Sequence, residues 1–276
     1  MKRILTVQDI SCVGKCSLTV ALPIISACGI ETAILPTAVL SNHTMFKSWT
    51  FRDLTDDMDD IAKKWKDENI DFDALYTGYL GSADQIEKVK MLFNDFKKQG
   101  GFTVVDPVMA DNGKLYPGFD LDFVKKMTTL CAVADYIVPN LTEASFMLGV
   151  PYPTEYDEAY IKDMLIKLTD LGAKKALLTG VTFESGKLGA YGYDSQTKEF
   201  FYYYNEHLPV NFHGTGDVFA SALTGALTLG KSFLESTKVA VDYTVQTIKE
   251  TMKNPDHNFY GVDFETAIPY LIERIK

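Results

Sequence analysis

Apolar positions along the chain follow two periods that take turns. Short β-forming runs at Ile4–Gln8, Thr32–Leu40, Ala74–Tyr79, Phe102–Val108, Asp135–Pro139 and Lys175–Thr179 read as strands. Between them, Ser17–Cys28, a stretch opening at Thr55, Ile86–Phe96, Asp120–Cys131, Thr142–Leu148 and Tyr156–Leu171 carry helical spacing. Gly29 and Gly100-Gly101 are read as helix stops, and Ser82-Ala83-Asp84-Gln85 has capping-box spacing. The acidic run Asp56-Asp57-Met58-Asp59-Asp60 opposes the positive end of a helix dipole, so it reads as a helix start and not a metal site. Strand–helix alternation implies an α/β fold with a mostly parallel central sheet and helices on both faces. After Thr179 the pattern changes. Lys187–Tyr193 and Glu199–Tyr204 flank the turn Asp194-Ser195-Gln196-Thr197 and predict an antiparallel edge; three helices then follow at Gly216–Leu229, Leu234–Met252 and Phe264–Ile275.

Composition narrows the picture. The chain has 276 residues, 46% of them hydrophobic, enough for a large core. Length alone suggests nearly two domains, but composition does not shift along the chain, and one domain over residues 1–276 is expected. The formal net charge is -10 and no basic stripe interrupts it, which speaks against a nucleic-acid partner. No apolar run is long enough to span a membrane, and none at the N-terminus matches a signal peptide. Cys12, Cys16, Cys28 and Cys131 lack zinc-ligand spacing and read as reduced thiols of a cytoplasmic protein.

The strongest candidate chemistry is His213-Gly214-Thr215-Gly216-Asp217 followed by an apolar helical face. Glycines at a helix start let backbone N–H groups converge on an anion, and an aspartate there can take a proton from an attacking hydroxyl. The plain alternative is a glycine-rich helix entry with Asp217 opposing the dipole. Walker and Rossmann glycine patterns are absent: Gly14-Lys15 is followed by Cys16, with no glycine five residues before Gly14.

Five segments in order resemble the ribokinase-like superfamily, and within it the pyridoxal (pyridoxine, pyridoxamine) kinases. They are Leu40–Thr44 with Trp49, Tyr76-Thr77-Gly78-Tyr79-Leu80, Asp106-Pro107-Val108-Met109, Pro139-Asn140-Leu141-Thr142-Glu143, and Gly214–Asp217. The resemblance implies ATP-dependent phosphorylation of the 5′-hydroxyl of a B6 vitamer, with Asp217 as base. It implies an anion hole at Gly214, Thr215 and Gly216, and Mg²⁺ organised by Asp106 and Glu143 with Asn140 beside them. Thr179 and Gly180 are expected near ATP phosphates and a monovalent cation such as K⁺, and Thr44 and Tyr79 on the vitamer. Asn140 or Thr142 also reads as the N-cap of the short helix that follows. Asp111–Gly118 is expected to be a lid-like loop, with Lys114 and Tyr116 on it, and a homodimer is inherited from the resemblance.

One departure stands out. The family usually has a serine after the glutamine that ends the first strand. Here Asp9 takes that place, with Ser11 two positions on and a shortened loop to Ser17. An aspartate there can pair with an amine or pyridinium, which favours pyridoxamine. Competing readings are a hydroxymethylpyrimidine or other small-alcohol kinase of the same superfamily, a non-catalytic vitamer-binding protein, and an NAD-dependent oxidoreductase, which lacks its glycine fingerprint.

Overall fold

The computed structural model describes residues 1–276. In chain order the first elements are β1 (Arg3–Ser11), α1 (Leu18–Ala27), β2 (Glu31–Leu40), β3 (Phe51–Asp53), α2 (Thr55–Asp67), β4 (Phe72–Thr77) and α3 (Ala83–Phe96). Next come β5 (Lys97–Val105), β6 (Ala110–Asp111), β7 (Lys114–Leu115), α4 (Leu121–Cys131), β8 (Tyr136–Ile137), α5 (Leu141–Leu148) and α6 (Glu158–Asp170). The chain ends with β9 (Lys175–Val181), β10 (Lys187–Asp194), β11 (Glu199–Glu206), α7 (Thr215–Thr228), α8 (Phe233–Lys253) and α9 (Phe264–Ile275).

Nine strands form one sheet in the order β11-β10-β9-β8-β5-β4-β1-β2-β3. The six from β9 to β2 run parallel, and β10–β11 and β3 add antiparallel edges. Side chains alternate across a strand, so each central strand feeds two cores. Leu5, Val7, Leu75 and Val105 join a cluster of 35 buried residues on one face, beneath α3, α4 and α6. Ile4, Ala74, Tyr76 and Val104 join 29 buried residues on the other, beneath α1, α7 and α8. These strands are accordingly apolar on both faces.

The structure revises four sequence expectations. Gly100-Gly101 does not stop α3, which ends at Phe96; both glycines lie inside β5. Phe72 pairs with Lys97 but Ala74 with Phe102, so β5 carries a three-residue bulge. Gly100 turns it at φ +79, and a Cβ on Gly101 would meet the Asp73 carbonyl at 2.9 Å. The Asp135–Pro139 strand shrinks to Tyr136–Ile137, because the Asp135 carboxylate accepts from the Thr103 backbone N–H at 2.9 Å and Pro139 has no N–H for a ladder. The edge strand β3, all three residues exposed, had no apolar alternation to betray it. Asp111–Gly118, expected as a lid-like loop, is in part a small hairpin, with β6 and β7 paired.

Candidate active site

Parallel strands bring their C-terminal ends to one edge, where ligands bind in open α/β sheets. Strand order therefore sets the order of side chains along the cleft: Thr179 and Gly180 near the end of β9, Asn140 after β8, Asp106 after β5, Tyr79 after β4, then Asp9 and Ser11 at the end of β1. These seven residues, spread from Asp9 to Gly180 in the sequence, thus share one rim.

The N-terminus of α7 faces this rim. Gly214 caps it at φ 81, a left-handed conformation, and a Cβ there would lie 2.1 Å from the Lys15 carbonyl. A Cβ on Gly216 would meet nothing within 4 Å, so that position opens onto free space where an anion can approach the backbone. Asp217, in the first turn, has its carboxyl pushed up to about 7 by desolvation, moderated by the Ser17 backbone N–H and raised again by the neighbouring Asp9 charge. The Ser17 hydroxyl likewise lowers Asp9 against its burial, so one residue moderates both carboxyls. It does so from φ 49 and ψ -130, a conformation that favours glycine. Asp9 itself is buried, and burial raises its pKa.

Lys15 does not serve an anion. Its Nζ lies 2.7 Å from Asp263 and 2.9 Å from Glu265, which pins the loop of residues 12–17 to the start of α9. No lysine, arginine or histidine offsets Asp9, Asp106, Glu143 or Asp217. The cleft presents four carboxylates and an N–H fan: cation-seeking on its walls, anion-seeking at one point.

Asp106 is buried, and desolvation followed by the Asp217 charge drives its pKa well up. Glu143 is raised by burial and then by Asp106. The capping reading of Asn140 holds: its side chain accepts from Glu143 N–H at 2.9 Å, while Glu143 Oε2 accepts from Asn140 N–H at 2.9 Å. The same pair anchors the hairpin. Glu143 Oε1 accepts from Met109 N–H at 3.1 Å, and Asn140 Nδ2 donates to the Ala110 carbonyl at 2.9 Å. Burial and then Glu143, Asp111, Asp106 and Asp217 raise the Tyr116 phenol, so its hydroxyl faces the carboxylates from the hairpin side. Asp106 and Glu143 find no third His, Cys, Asp or Glu to complete a metal cluster. Two acidic oxygens of that kind suit Mg²⁺, which keeps waters and takes phosphate oxygens for its remaining positions.

On the other side, burial and then Asp9 raise Tyr79, which places the phenol beside Asp9; its ring lies 5.6 Å from Phe119. Ser11 is buried, with its hydroxyl 3.7 Å from the Cys16 sulfur. Thr44 is exposed, on a loop held by the His43 N–H bond to the Val13 carbonyl at 2.8 Å. The His43 and His213 rings, 5.5 Å apart, join that loop to the glycine turn. Thr179 pairs with Asn140 in an isolated bridge, and Gly180, at φ +71, is the extra residue of a bulge opposite Gly189 and Ala190. Sequence reasoning missed Ser17, whose strained backbone no serine advertises.

Comparison with known proteins fits this geometry. The phosphomethylpyrimidine kinase family model matches residues 25–262. The chain belongs to that family. A putative phosphomethylpyrimidine kinase of Bacteroides thetaiotaomicron is 39% identical, covering 98% of this chain and 93% of its own, with a TM-score of 0.94. Its orthorhombic crystal form with pyridoxal superposes with a TM-score of 0.92 at the same identity, covering 98% of this chain and 95% of its own. Pyridoxal kinase of Lactobacillus plantarum is 29% identical over 99% of this chain and 97% of its own, with a TM-score of 0.91. Among curated proteins, a pyridoxal kinase of Histophilus somni is 27% identical over 96% of this chain and 93% of that protein. The fold and the kinase class follow.

Proposed function

We propose that this kinase transfers the γ-phosphoryl group of ATP to the 5′-hydroxyl of a vitamin B6 vitamer. The observation that carries the reading is Asp217: a buried first-turn carboxyl raised toward neutrality, beside the open backbone of Gly216 and facing Asp9, whose charge also reaches Tyr79. Asp217 takes the hydroxyl proton as that oxygen attacks phosphorus, and the bond to the β–γ bridging oxygen breaks to release ADP. The N–H groups of Gly214, Thr215 and Gly216 stabilise the charge on the transferring group. Asp106 and Glu143 would hold Mg²⁺, which when bound would neutralise phosphate charge. Asn140, Thr179 and Gly180 line the nucleotide end, where K⁺ is the cation we assign to the Gly180 turn. Asp9, Ser11, Thr44 and Tyr79 line the vitamer end. The exposed Thr44 reaches substrate from the mouth, and the Asp9 carboxylate pairs with a cationic ring nitrogen or amine. One domain working as a homodimer in the cytoplasm completes the reading.

The second reading, a hydroxymethylpyrimidine kinase, is favoured by the family model and by the name of the 39%-identical neighbour. The same neighbour's crystal form with pyridoxal weighs toward the first. ADP release with pyridoxal, pyridoxine, pyridoxamine and hydroxymethylpyrimidine decides between them. The B6 reading expects the highest kcat/KM among the three vitamers, with Asp217→Asn losing at least about 10²-fold in kcat. Preference for the pyrimidine overturns the substrate, and an unimpaired Asp217→Asn overturns the base. Equal turnover of the three vitamers by wild type and Asp9→Asn removes the role given to Asp9.

A further inference from the structure

Beneath the base lies a group of polar side chains that the reaction as described does not use. Tyr76 on β4 is fully buried, and its hydroxyl has no hydrogen-bond partner. Ser221 on α7 is fully buried and equally unpartnered. The third is Gln8 on β1: its Nε2 donates to Thr6 Oγ1 at 2.8 Å, but its Oε1 is unpartnered. The three converge. Tyr76 and its neighbours Ala74 and Val104 face α7, and Ser221 and Gln8 are the side chains turned toward the phenol. Gly78 makes room for the Gln8 side chain, since a Cβ there would lie 2.7 Å from Gln8 Oε1.

Three orphaned polar atoms in one apolar layer are costly, because each gives up its hydration with no bond in return. A chain free to choose would place phenylalanine and alanine here. The polar set sits directly under the chemistry, because Ser221 follows Asp217 by one helical turn and projects from the same face of α7. Tyr76 is close enough to feel the charges of both Asp217 and Asp106.

We propose that Tyr76 is a positioning residue for the base, its hydroxyl joining with Ser221 Oγ and Gln8 Oε1 around one buried water that fixes the rotation of α7. A buried water makes about three hydrogen bonds, which is the number these atoms offer. Tying β1 and β4 to α7 at this depth sets the direction of Asp217 and of the N–H fan one turn above. The effect falls on the aim of the base and not on substrate binding.

The inference rests on the kinase reading, and the test separates the two. Tyr76→Phe and Ser221→Ala are compared with wild type for kcat, both KM values and Tm, using whichever of the three vitamers or hydroxymethylpyrimidine turns over fastest. Tyr76→Phe is expected to lose about tenfold in kcat with both KM values within twofold and at most a small fall in Tm, since it removes one of the three bonds of the group and leaves the other two. Ser221→Ala is expected to do the same, and the double variant to lose little more. If Tyr76→Phe keeps wild-type kcat and gains Tm, the phenol is only a misfit in the core and the inference falls. It also falls if kcat, KM and Tm decline together, which marks a structural role. A wild type that prefers the pyrimidine corrects the substrate and leaves the Tyr76 comparison intact.

Discussion

At the scale of single residues, a carboxyl raised to about 7 acts as a base only once it has lost its proton. Plots of kcat/KM against pH should therefore climb through an apparent pKa of about 7 and level off above it; a flat profile from pH 5.5 to 8.5 excludes Asp217 as the titrating base. The same shift has a cost in stability. The folded state holds this proton more tightly than the unfolded chain, so the contribution is favourable at low pH and is lost as pH rises toward 7. Asp217→Asn, uncharged throughout, should raise Tm at pH 8 and give little or no gain at pH 4, a trade of stability for activity seen in thermal scans. Two glycines of the turn should respond differently. Gly214→Ala forces a Cβ 2.1 Å from the Lys15 carbonyl at a positive φ, and should lose both Tm and activity. Gly216→Ala meets no protein atom, so it should fold with an unchanged Tm while losing phosphoryl transfer, because its methyl group occupies the anion's approach. Equal loss of Tm in both would mean that Gly216 is structural.

At the scale of elements, the loop between β1 and α1 is held by a clasp. Lys15 is drawn down by burial but held above its ordinary range by Asp263 and Glu265, and Asp263 is pulled below its own range mainly by Lys15 and Asn254 against the effect of burial. Lys15→Met keeps the stem and strands Asp263, and should cost about 2 kcal/mol by urea denaturation at pH 7. The stabilisation is present above the ordinary aspartate range and fades as pH falls through the depressed Asp263 value, so the gap to wild type should close below about pH 4. A gap that persists there assigns the effect to packing of the lysine stem. Elements of this kind divide what a sequence reveals from what it hides. The buried parallel strands are legible because burial on both faces demands β-branched runs, and α5 is legible because Asn140 and Glu143 stand at capping-box spacing. The clasp is not, since it joins residues about 250 positions apart. Nor is the β5 bulge, because Gly100-Gly101 looks like any helix stop until the register with β4 is known. The rim followed the same rule. Asp106, Asn140 and Asp217 were visible as strand-end and helix-start residues, whereas Ser17 and Tyr76 acquire roles only from neighbours brought in by the fold.

At the scale of the whole molecule, the question is whether the two layers of core melt as one unit. Adjacent residues of a single strand serve opposite faces: Ile4 and Leu5, Leu75 and Tyr76, and Val104 and Val105 each divide between the two clusters. Losing either layer exposes a face of strands that hold the other, so neither can unfold alone. The C-terminal helices are bound into the same unit, because Arg274 on α9 pairs with the buried Asp242 on α8, which also accepts from Tyr203 of β11 at 2.9 Å. Probes exist for each layer. Trp65 packs edge-on against Phe72 and Phe96 in the first, and Tyr243 is buried in the second, donating to the Phe264 carbonyl at 3.0 Å. Urea unfolding followed by tryptophan fluorescence, near-ultraviolet tyrosine dichroism and activity should give coincident transitions with one midpoint, as a two-state unit requires. MgATP should move all three midpoints upward together, because the proposed nucleotide site draws on the ends of β5, β8 and β9 and on α7. Separation of any of these transitions from the others would mean that the molecule does not unfold as one unit.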